Sequence, residues 1–287
     1  YEIPLRLVGS EMCIRDRPTL MTKPEMSDRL TYIYHDGFLL QTPEVNVVFD
    51  YWKDPESAEP RFLQTLETKK PLYVLVSHHH KDHFNPEIFQ WSDRFDDIHY
   101  IISRDTFRAA RHFINPGSLY HGLKRVDPDK VVALAPGEVY RDKHIRVEAF
   151  GSTDIGNSYL LQTGGKTIFH AGDLNAWVWK DESTPQEIEE ALTAFGKILS
   201  QIAQHTTAID VAMFPVDPRL GTDFWTGAQI FVHKFKVGLF IPMHFTLADQ
   251  PDKQLDFIAQ ATNFSAYSNA AYGRYVALTT PGASVEF

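Results

Sequence analysis

The sequence predicts an α/β (α+β) domain in which β-sheets pack on each other and are covered by helices. Short β-branched and aromatic runs recur along the chain, and amphipathic helices lie between and after them. The chain has 287 residues and 43% hydrophobic content, which is enough for one large core. It shows no internal repeat, low-complexity tract or linker. We therefore expect a single folded domain over residues 26–287.

The predicted strands begin with a hairpin, because "LTYIYHD" and "FLLQT" meet at the tight-turn pair Asp36-Gly37. A second hairpin, "LLQTGGKTIF", turns at Gly164-Gly165. β-branched and aromatic residues dominate the other runs, which are typical of buried strands. These runs are "VNVVFDYW", "LYVLVS", "IHYIIS", "IRVEAFG", "NSYLLQT", "KTIFHAG", "IDVAMFPV", "VGLFIPM" and "RYVALTT".

The clearest helix is predicted from about Pro185 to His205. Thr184 and Glu187 form a capping box with proline at the first helical position. Apolar residues follow at helical spacing and indicate a core-facing stripe rather than a cofactor site. Further helices are expected in "PRFLQTLETKK", "DFWTGAQIFVHKF" and "PDKQLDFIAQ".

Residues 1–25 stand apart from this pattern. The run "RLVGSEMCIRDR" has neither helical nor strand periodicity and resembles a translated sequencing-adaptor fragment. We expect a non-native segment with the natural start at Met21 or Met26, the alternative being a disordered tail. Cys13, the one cysteine, falls in this segment, so any metal must be held by His, Asp and Glu.

The formal charge of −9 argues against a nucleic-acid partner, which would require a basic surface. No apolar run of about 18 residues predicts a membrane span, and no secretory signal is recognisable. We therefore expect a cytoplasmic protein that acts on a small molecule rather than on nucleic acid or a membrane.

Four histidines cluster in "SHHHKDHF" (residues 77–84), directly after a predicted buried strand. A purification tag would be uninterrupted and terminal, and a charged surface loop would use Lys and Glu. The pattern H-x-H-x-D-H therefore indicates a metal site. His79 and Lys81 alternate with the pattern and are expected to be supporting or solvent-facing residues.

The spacing suggests two ions. Residues two apart in an extended segment point to the same side, so His78 and His80 can bind one ion. Asp82 and His83 follow a turn and can bind another. Asp50, at the end of "VVFD", is expected to orient a ligand histidine by a hydrogen bond.

Two ions need further ligands, and three candidates each follow a predicted strand: Asp154, Asp173 and His244. Taken alone, Asp173 could be a turn residue and His244 a core histidine. Polar residues at the ends of apolar strands that converge on one edge are typical of binding sites. Together with the cluster, they favour a shared metal centre.

The motif H-x-H-x-D-H, the later Gly172-Asp173 and the final His244 resemble the metallo-β-lactamase superfamily over residues 30–287. The branch that includes L-ascorbate-6-phosphate lactonase-like hydrolases is the most similar. This resemblance implies a four-layer αββα sandwich with a dinuclear site at one sheet edge. It implies these ligand sets: His78 and His80 for the first ion, Asp82, His83 and His244 for the second, and Asp173 between both.

The chain departs from the family at the third ligand of the first ion, where histidine is usual. Aligning Ser158 with the serine of the family pattern His-Thr-Pro-Gly-Ser places Asp154 in that position, so either Asp154 binds the metal or the first site is weakened. A carboxylate shifts metal preference toward Mn²⁺ or Fe²⁺ relative to Zn²⁺. The expected cofactors are two divalent ions, Zn²⁺ or Mn²⁺.

Such a centre predicts hydrolysis of an ester, lactone, amide or phosphodiester by metal-activated water. Asp82 is the predicted proton acceptor as well as a ligand. Two alternatives remain open: a nuclease or RNA-processing enzyme of the same superfamily, and a non-catalytic metal-binding relative that lost activity with the third histidine.

Three residues near the predicted site are candidates for substrate binding. Asp217 and Arg219 lie in "FPVDPRLG", and Arg219 could pair with a phosphate or carboxylate. A structural Arg–Asp pair is the alternative. Trp177, just after Asp173, is expected either to wall the pocket or to pack its own loop. A modest, negatively charged molecule is the expected substrate.

Overall fold

The computed structural model describes residues 27–54, 62–114, 125–246, 252–268 and 273–287. The suspected non-native segment 1–25, with Cys13, lies outside the described residues.

Two mixed seven-stranded β-sheets form the centre of the fold. In chain order the strands are β1 (Arg29–Tyr34), β2 (Gly37–Gln41), β3 (Asn46–Phe49), β4 (Leu72–Val76), β5 (Ile98–Ser103), β6 (Val131–Leu134), β7 (Val139–Arg141), β8 (Ile145–Gly151), β9 (Asn157–Thr163), β10 (Lys166–His170), β11 (Ala208–Pro215), β12 (Lys236–Met243), β13 (Arg274–Tyr275) and β14 (Ser284–Glu286). The first sheet has the order β14-β1-β2-β3-β4-β5-β6, and the second has the order β13-β12-β11-β10-β9-β8-β7.

Alternation along the strands separates two cores. In β4, Tyr73 and Leu75 join the large cluster shared with the second sheet, whereas Leu72, Val74 and Val76 join a second cluster on the opposite face. Since successive side chains point to opposite faces of a sheet, the first sheet is buried on both sides. Because both faces of β4 are buried, its sequence "LYVLV" is a continuous apolar run.

Helices cover the outer faces. They are α1 (Arg104–Ala109), α2 (Arg111–Ile114), α3 (Pro185–Ile202), α4 (Thr226–Lys234), α5 (Gln254–Thr262) and α6 (Phe264–Ser268). The capping box of α3 is present, and Phe195, Leu199 and Ile202 of its predicted stripe are buried. The predicted α/β (α+β), αββα sandwich is confirmed. No helix in the described part of the chain combines the length and apolar character needed to cross a bilayer.

Some elements differ from the sequence-based expectation. The predicted helix at 60–70 forms only a short 3₁₀ turn, Phe62–Thr65, within the described residues. The expected strand "RYVALTT" pairs only at Arg274–Tyr275, because the chain must then cross to the other sheet, where the Gly282 N–H donates to the Tyr32 carbonyl. The short strands β6, β7 and β14 and the helices α1 and α2 were not predicted, because their short lengths give little periodicity.

Candidate metal centre

The predicted site residues follow the carboxyl ends of parallel strands from both sheets. β3–β6 are parallel in the first sheet, and β10–β13 are parallel in the second. Asp50 follows β3, Ser77 follows β4, Asp173 comes after β10, and His244 follows β12. This edge is where ligands bind in open α/β sheets, because the loops there converge.

One group of donors comprises His78, His80, Asp154 and Asp173, whose ligand atoms lie within 4.8 Å of one another. His78 Nε2 lies 3.0 Å from His80 Nδ1 and 3.3 Å from Asp173 Oδ2. His80 Nδ1 lies 3.8 Å from Asp154 Oδ2. The structure thus brings together the side chains that the sequence proposed around the first ion. The His80 and Asp154 side chains are 44% and 43% exposed, so this group opens to solvent.

A second group comprises His35, Asp36, His83 and His244, again within 4.8 Å of one another, and all four are buried. Nε2 of His83 and Nε2 of His244 lie 3.1 and 3.2 Å from Asp173 Oδ1. Asp173 therefore directs Oδ2 to the first group and Oδ1 to the second. This is the arrangement that a bridging carboxylate requires.

Asp82 lies beside the second group but is not a member of it. Its Oδ2 is 3.6 Å from His35 Nε2, and its side chain is 36% exposed. Burial would raise the pKa of Asp82, but the facing imidazoles of His35, His83 and His244 hold that pKa below its usual value.

Sequence analysis missed His35 and Asp36 as possible metal donors. The pair Asp36-Gly37 was interpreted only as a tight turn, and turn residues are ordinarily exposed. The sequence offered one signal, since a polar pair directly follows the apolar run "LTYIY". In the structure His35 and Asp36 are both fully buried.

Asp50 orients two of the donor histidines. Its Oδ2 accepts a hydrogen bond from His83 Nδ1 at 2.8 Å and from the Ser77 hydroxyl at 2.5 Å. Since Ser77 donates its one hydroxyl hydrogen to Asp50, its Oγ accepts from His78 Nδ1 at 2.9 Å. In their neutral forms, both imidazoles consequently present an unprotonated Nε2 to the donor groups. Such outer partners fix the tautomer and direction of metal ligands, as predicted for Asp50.

Asp217 supports the third histidine in the same way. It is fully buried and accepts from His244 Nδ1 at 3.0 Å. Arg219 donates to the same carboxylate from Nε and from an Nη at 2.6 Å. Burial would raise the pKa of Asp217, but the hydrogen bonds and charges of His244 and Arg219 lower it to about 2. The structure therefore contains the structural Arg–Asp pair, and Asp217 faces His244.

Trp177 both packs its loop and borders the centre. Its Nε1 donates to the Asp173 carbonyl at 2.9 Å, and its ring meets the His244 ring edge-on at 5.6 Å.

His170 ties two site loops together without facing a donor group. Its Nδ1 accepts from the Gly172 N–H at 3.2 Å, and its Nε2 donates to the Asp36 carbonyl at 2.9 Å. The ring stacks on Phe49 at 5.1 Å. This buried histidine is structural.

The second group of donors fits a divalent cation because its inward atoms lack other partners. Among the described residues, buried atoms without a hydrogen-bond partner include both carboxylate oxygens of Asp36, Asp173 Oδ1 and Nε2 of both His83 and His244. Leaving such groups unpaired costs about 1 to 3 kcal/mol each. These atoms all face the second group of donors, where a cation would satisfy them.

Backbone strain is concentrated at the same place. Five described non-glycine residues have positive φ, and four of them touch the centre: His35 (57°), Asp50 (39°), Trp177 (48°) and His244 (67°). Strained backbone persists where the surrounding structure determines it, and it clusters at functional sites.

Carboxylates and imidazoles of opposite charge face each other in the centre. Burial would raise the pKa of Asp173, but the imidazoles of His83 and His244 hold that pKa well below its usual value. Burial would lower the pKa of His83, whereas Asp173 and Asp36 hold it well above its usual value. Imidazoles bind metals only when neutral, so cation binding must displace these protons.

Known proteins with similar sequences include members of one superfamily and metal-dependent hydrolases. A family model described as β-lactamase superfamily domain matches residues 29–189. A protein of Desulforamulus reducens named a metal-dependent hydrolase is 27% identical over 248 residues, covering 82% of this chain and 93% of the relative.

Two solved structures share the fold. The metallo hydrolase Igni18 of the archaeon Ignicoccus hospitalis has a TM-score of 0.59 at 14% identity and covers 91% of this chain and 99% of its own. CmlA of Streptomyces venezuelae, a diiron β-hydroxylase, has a TM-score of 0.56 at 14% identity and covers 92% of this chain and 55% of its own.

Proposed function

The chain belongs to the β-lactamase superfamily and is a metal-dependent hydrolase, and we propose that it uses water to cleave a small anionic ester, lactone or phosphodiester. The observation that carries the proposal is Asp173, whose two carboxylate oxygens face two separate groups of donors. Membership of the lactonase-like branch remains a prediction.

His78, His80 and Asp154 would hold one ion, and Asp82, His83 and His244 would hold another, with Asp173 between them. Divalent ions in such a centre lower the pKa of bound water and polarise a carbonyl or phosphoryl oxygen. Carboxylate donors at Asp154 and Asp173 favour Mn²⁺ or Fe²⁺ relative to Zn²⁺.

The chain itself supplies proton transfer and substrate positioning. The Asp82 side chain is 36% exposed beside the donors, so its carboxylate would reach the attacking water, orient it and accept its proton. The exposed side at His80 and Asp154 gives substrate access. Arg219 is 29% exposed at the same edge and provides a positive charge for an anionic group, while the Trp177 ring excludes water beside His244.

The proposed stoichiometry is tested by metal analysis of protein purified without added metal. Two equivalents of divalent ion per chain are expected. Less than one equivalent after gentle purification contradicts the dinuclear centre.

The proposed reaction is tested with lactones, esters and phosphodiesters in Mn²⁺ and in Zn²⁺. Chelator should abolish cleavage, and Asp173→Asn should lose it, whereas Asp96→Asn removes an exposed carboxylate remote from the centre and should not. Chelator-sensitive cleavage eliminates a non-catalytic protein. Salt-sensitive RNA binding with cleavage of RNA alone would instead favour a nuclease.

A further inference from the structure

We propose that Thr153 is a positioning residue whose hydroxyl holds the loop of Asp173, the carboxylate that faces both donor groups. Thr153 lies in the loop between β8 and β9, and Asp173 lies in the loop that follows β10. This inference rests on the proposed dinuclear centre. It predicts that a hydroxyl outside the ligand sets contributes to the affinity for both ions.

The first argument is the pair of hydrogen bonds that Thr153 makes with Asn175. Thr153 Oγ1 accepts from the Asn175 N–H at 3.0 Å and donates to the Asn175 carbonyl at 2.5 Å. A hydroxyl can donate one hydrogen and accept at the same time, so both bonds form together. A third contact, 3.5 Å to the Asp173 carbonyl, places the hydroxyl beside Asp173 itself. Because Asn175 is buried, loss of the hydroxyl would leave its main chain without a ready replacement.

The second argument is that the same loop is closely packed elsewhere. A Cβ added at Gly227 in α4 would lie 1.8 Å from Asn175 Oδ1, so the helix backbone approaches the Asn175 side chain closely. Trp177 Nε1 donates to the Asp173 carbonyl at 2.9 Å and closes the loop on itself. Asn175 is therefore held by Thr153 through its main chain and by α4 through its side chain, which restricts Asp173 two residues earlier.

The third argument is the position of Thr153 in the chain. The next residue, Asp154, belongs to the exposed donor group, and its N–H donates to the Ser152 hydroxyl at 3.2 Å. Thr153 thus joins the loop of a first-group donor to the loop of the carboxylate that faces both groups. Residues that fix the direction of metal ligands contribute about 10- to 100-fold to metal affinity.

The test compares metal-free wild type, Thr153→Val and Thr153→Ser in titrations with Mn²⁺, followed by calorimetry and by the electron paramagnetic resonance of coupled Mn²⁺ pairs. Valine keeps the branched shape and removes the hydroxyl, whereas serine keeps the hydroxyl. Wild type and Thr153→Ser should bind two equivalents and show the same coupled signal. Thr153→Val should bind both equivalents at least about tenfold more weakly and show an altered coupling.

The matched control is Thr163→Val. Thr163 is buried at the end of β9 away from the centre, and its hydroxyl donates to the His144 carbonyl at 3.3 Å. This variant loses a similar hydrogen bond and should keep both affinities and the coupling. If it weakens metal binding as much as Thr153→Val does, the effect is general destabilisation and the inference is overturned.

Three results of the titrations bear on the inference alone when wild type binds two equivalents. Wild-type affinities in Thr153→Val overturn it, and so does failure of Thr153→Ser to restore binding. Weakening of a single equivalent with unchanged coupling also overturns it, because Thr153 would then act on Asp154 only. If wild type binds fewer than two equivalents, both the inference and the proposed dinuclear centre fail.

Hydrogen exchange at the Asn175 amide, measured by nuclear magnetic resonance without metal, tests the contact itself. Exchange should be faster in Thr153→Val than in wild type and should return to the wild-type rate in Thr153→Ser. Unchanged exchange in Thr153→Val overturns the inference. Thermal unfolding checks that each variant folds, and Thr153→Ala, which removes the same hydroxyl, is judged by the same outcomes if the valine variant does not.

Discussion

The contact between the two sheets at Gly156 gives a sharp test of how the histidine cluster is positioned. Gly156 has φ of +77°, and a Cβ there would lie 2.2 Å from the Ser77 carbonyl oxygen and 2.5 Å from His78 Cβ. The next residue, Asn157, donates its N–H to the same Ser77 carbonyl at 2.9 Å. Gly156→Ala must therefore displace Ser77 and His78 from their present positions.

The matched control is Gly165→Ala. Gly165 also has φ of +77°, but nothing lies within 4 Å of an added Cβ. Both variants bear the cost of a left-handed alanine, roughly 1 to 2 kcal/mol. Only Gly156→Ala adds steric overlap in a packed interior, which costs a further 1 to 3 kcal/mol or so. We expect a loss of about 1 to 2 kcal/mol in the free energy of unfolding for Gly165→Ala and about 2 to 5 kcal/mol for Gly156→Ala.

The assay is urea unfolding of both metal-free proteins, followed by metal titration and turnover. Gly165→Ala should keep wild-type metal binding and activity. Gly156→Ala should lose about 100-fold in turnover, because displacements of that order at a catalytic centre have such effects. Equal destabilisation of the two variants, or unchanged turnover in Gly156→Ala, would refute the steric reasoning.

Three other substitutions test separate parts of the network. Asp50→Asn should destabilise the protein by about 3 to 5 kcal/mol and weaken metal affinity about 10- to 100-fold, because His83 loses the charged acceptor of its Nδ1–H; unchanged affinity in a metal titration would contradict this. Tyr32→Phe leaves the backbone N–H in the β1–β2 turn without an acceptor and should cost about 1 to 3 kcal/mol, measured by thermal unfolding; no change would exclude a bracing role. Burial would raise the pKa of Asp142, but hydrogen bonds from the Tyr73 hydroxyl and nearby N–H groups lower it overall. Its carboxylate therefore stabilises the fold above the unfolded-state pKa and loses this effect as pH falls through the lower folded-state pKa. Asp142→Asn should thus show a smaller difference in stability between neutral and acid pH than wild type, and an identical pH profile would count against that role.

The sequence predicted the parts of the site that are contiguous or that end obvious strands. His78 and His80 stand two apart after a buried run, and Asp173 and His244 each follow an apolar strand, so their convergence follows from parallel strands ending at one edge. The sandwich was predictable for the same reason, because its long strands carry strong apolar patterns.

Other residues were not predictable because their roles depend on tertiary contacts. His35 and Asp36 occupy a turn whose burial arises only when the second sheet packs over it. The sequence around Asp217 contains no pattern that predicts its contact with His244, which lies 27 residues later in the chain. Its carboxylate was expected to meet substrate, and the structure places it in contact with His244 and Arg219.

The unequal exposure of the two donor groups bears on how ions come and go. His80 and Asp154 already touch water, whereas the four members of the other group are buried. An ion held by the solvent-exposed first group can exchange its ligands for water one at a time. An ion held by the buried second group can leave only after a local opening of the fold. Dilute chelator should consequently strip the protein in two kinetic phases, the fast one emptying the outer position and the slow one following the rate of that opening.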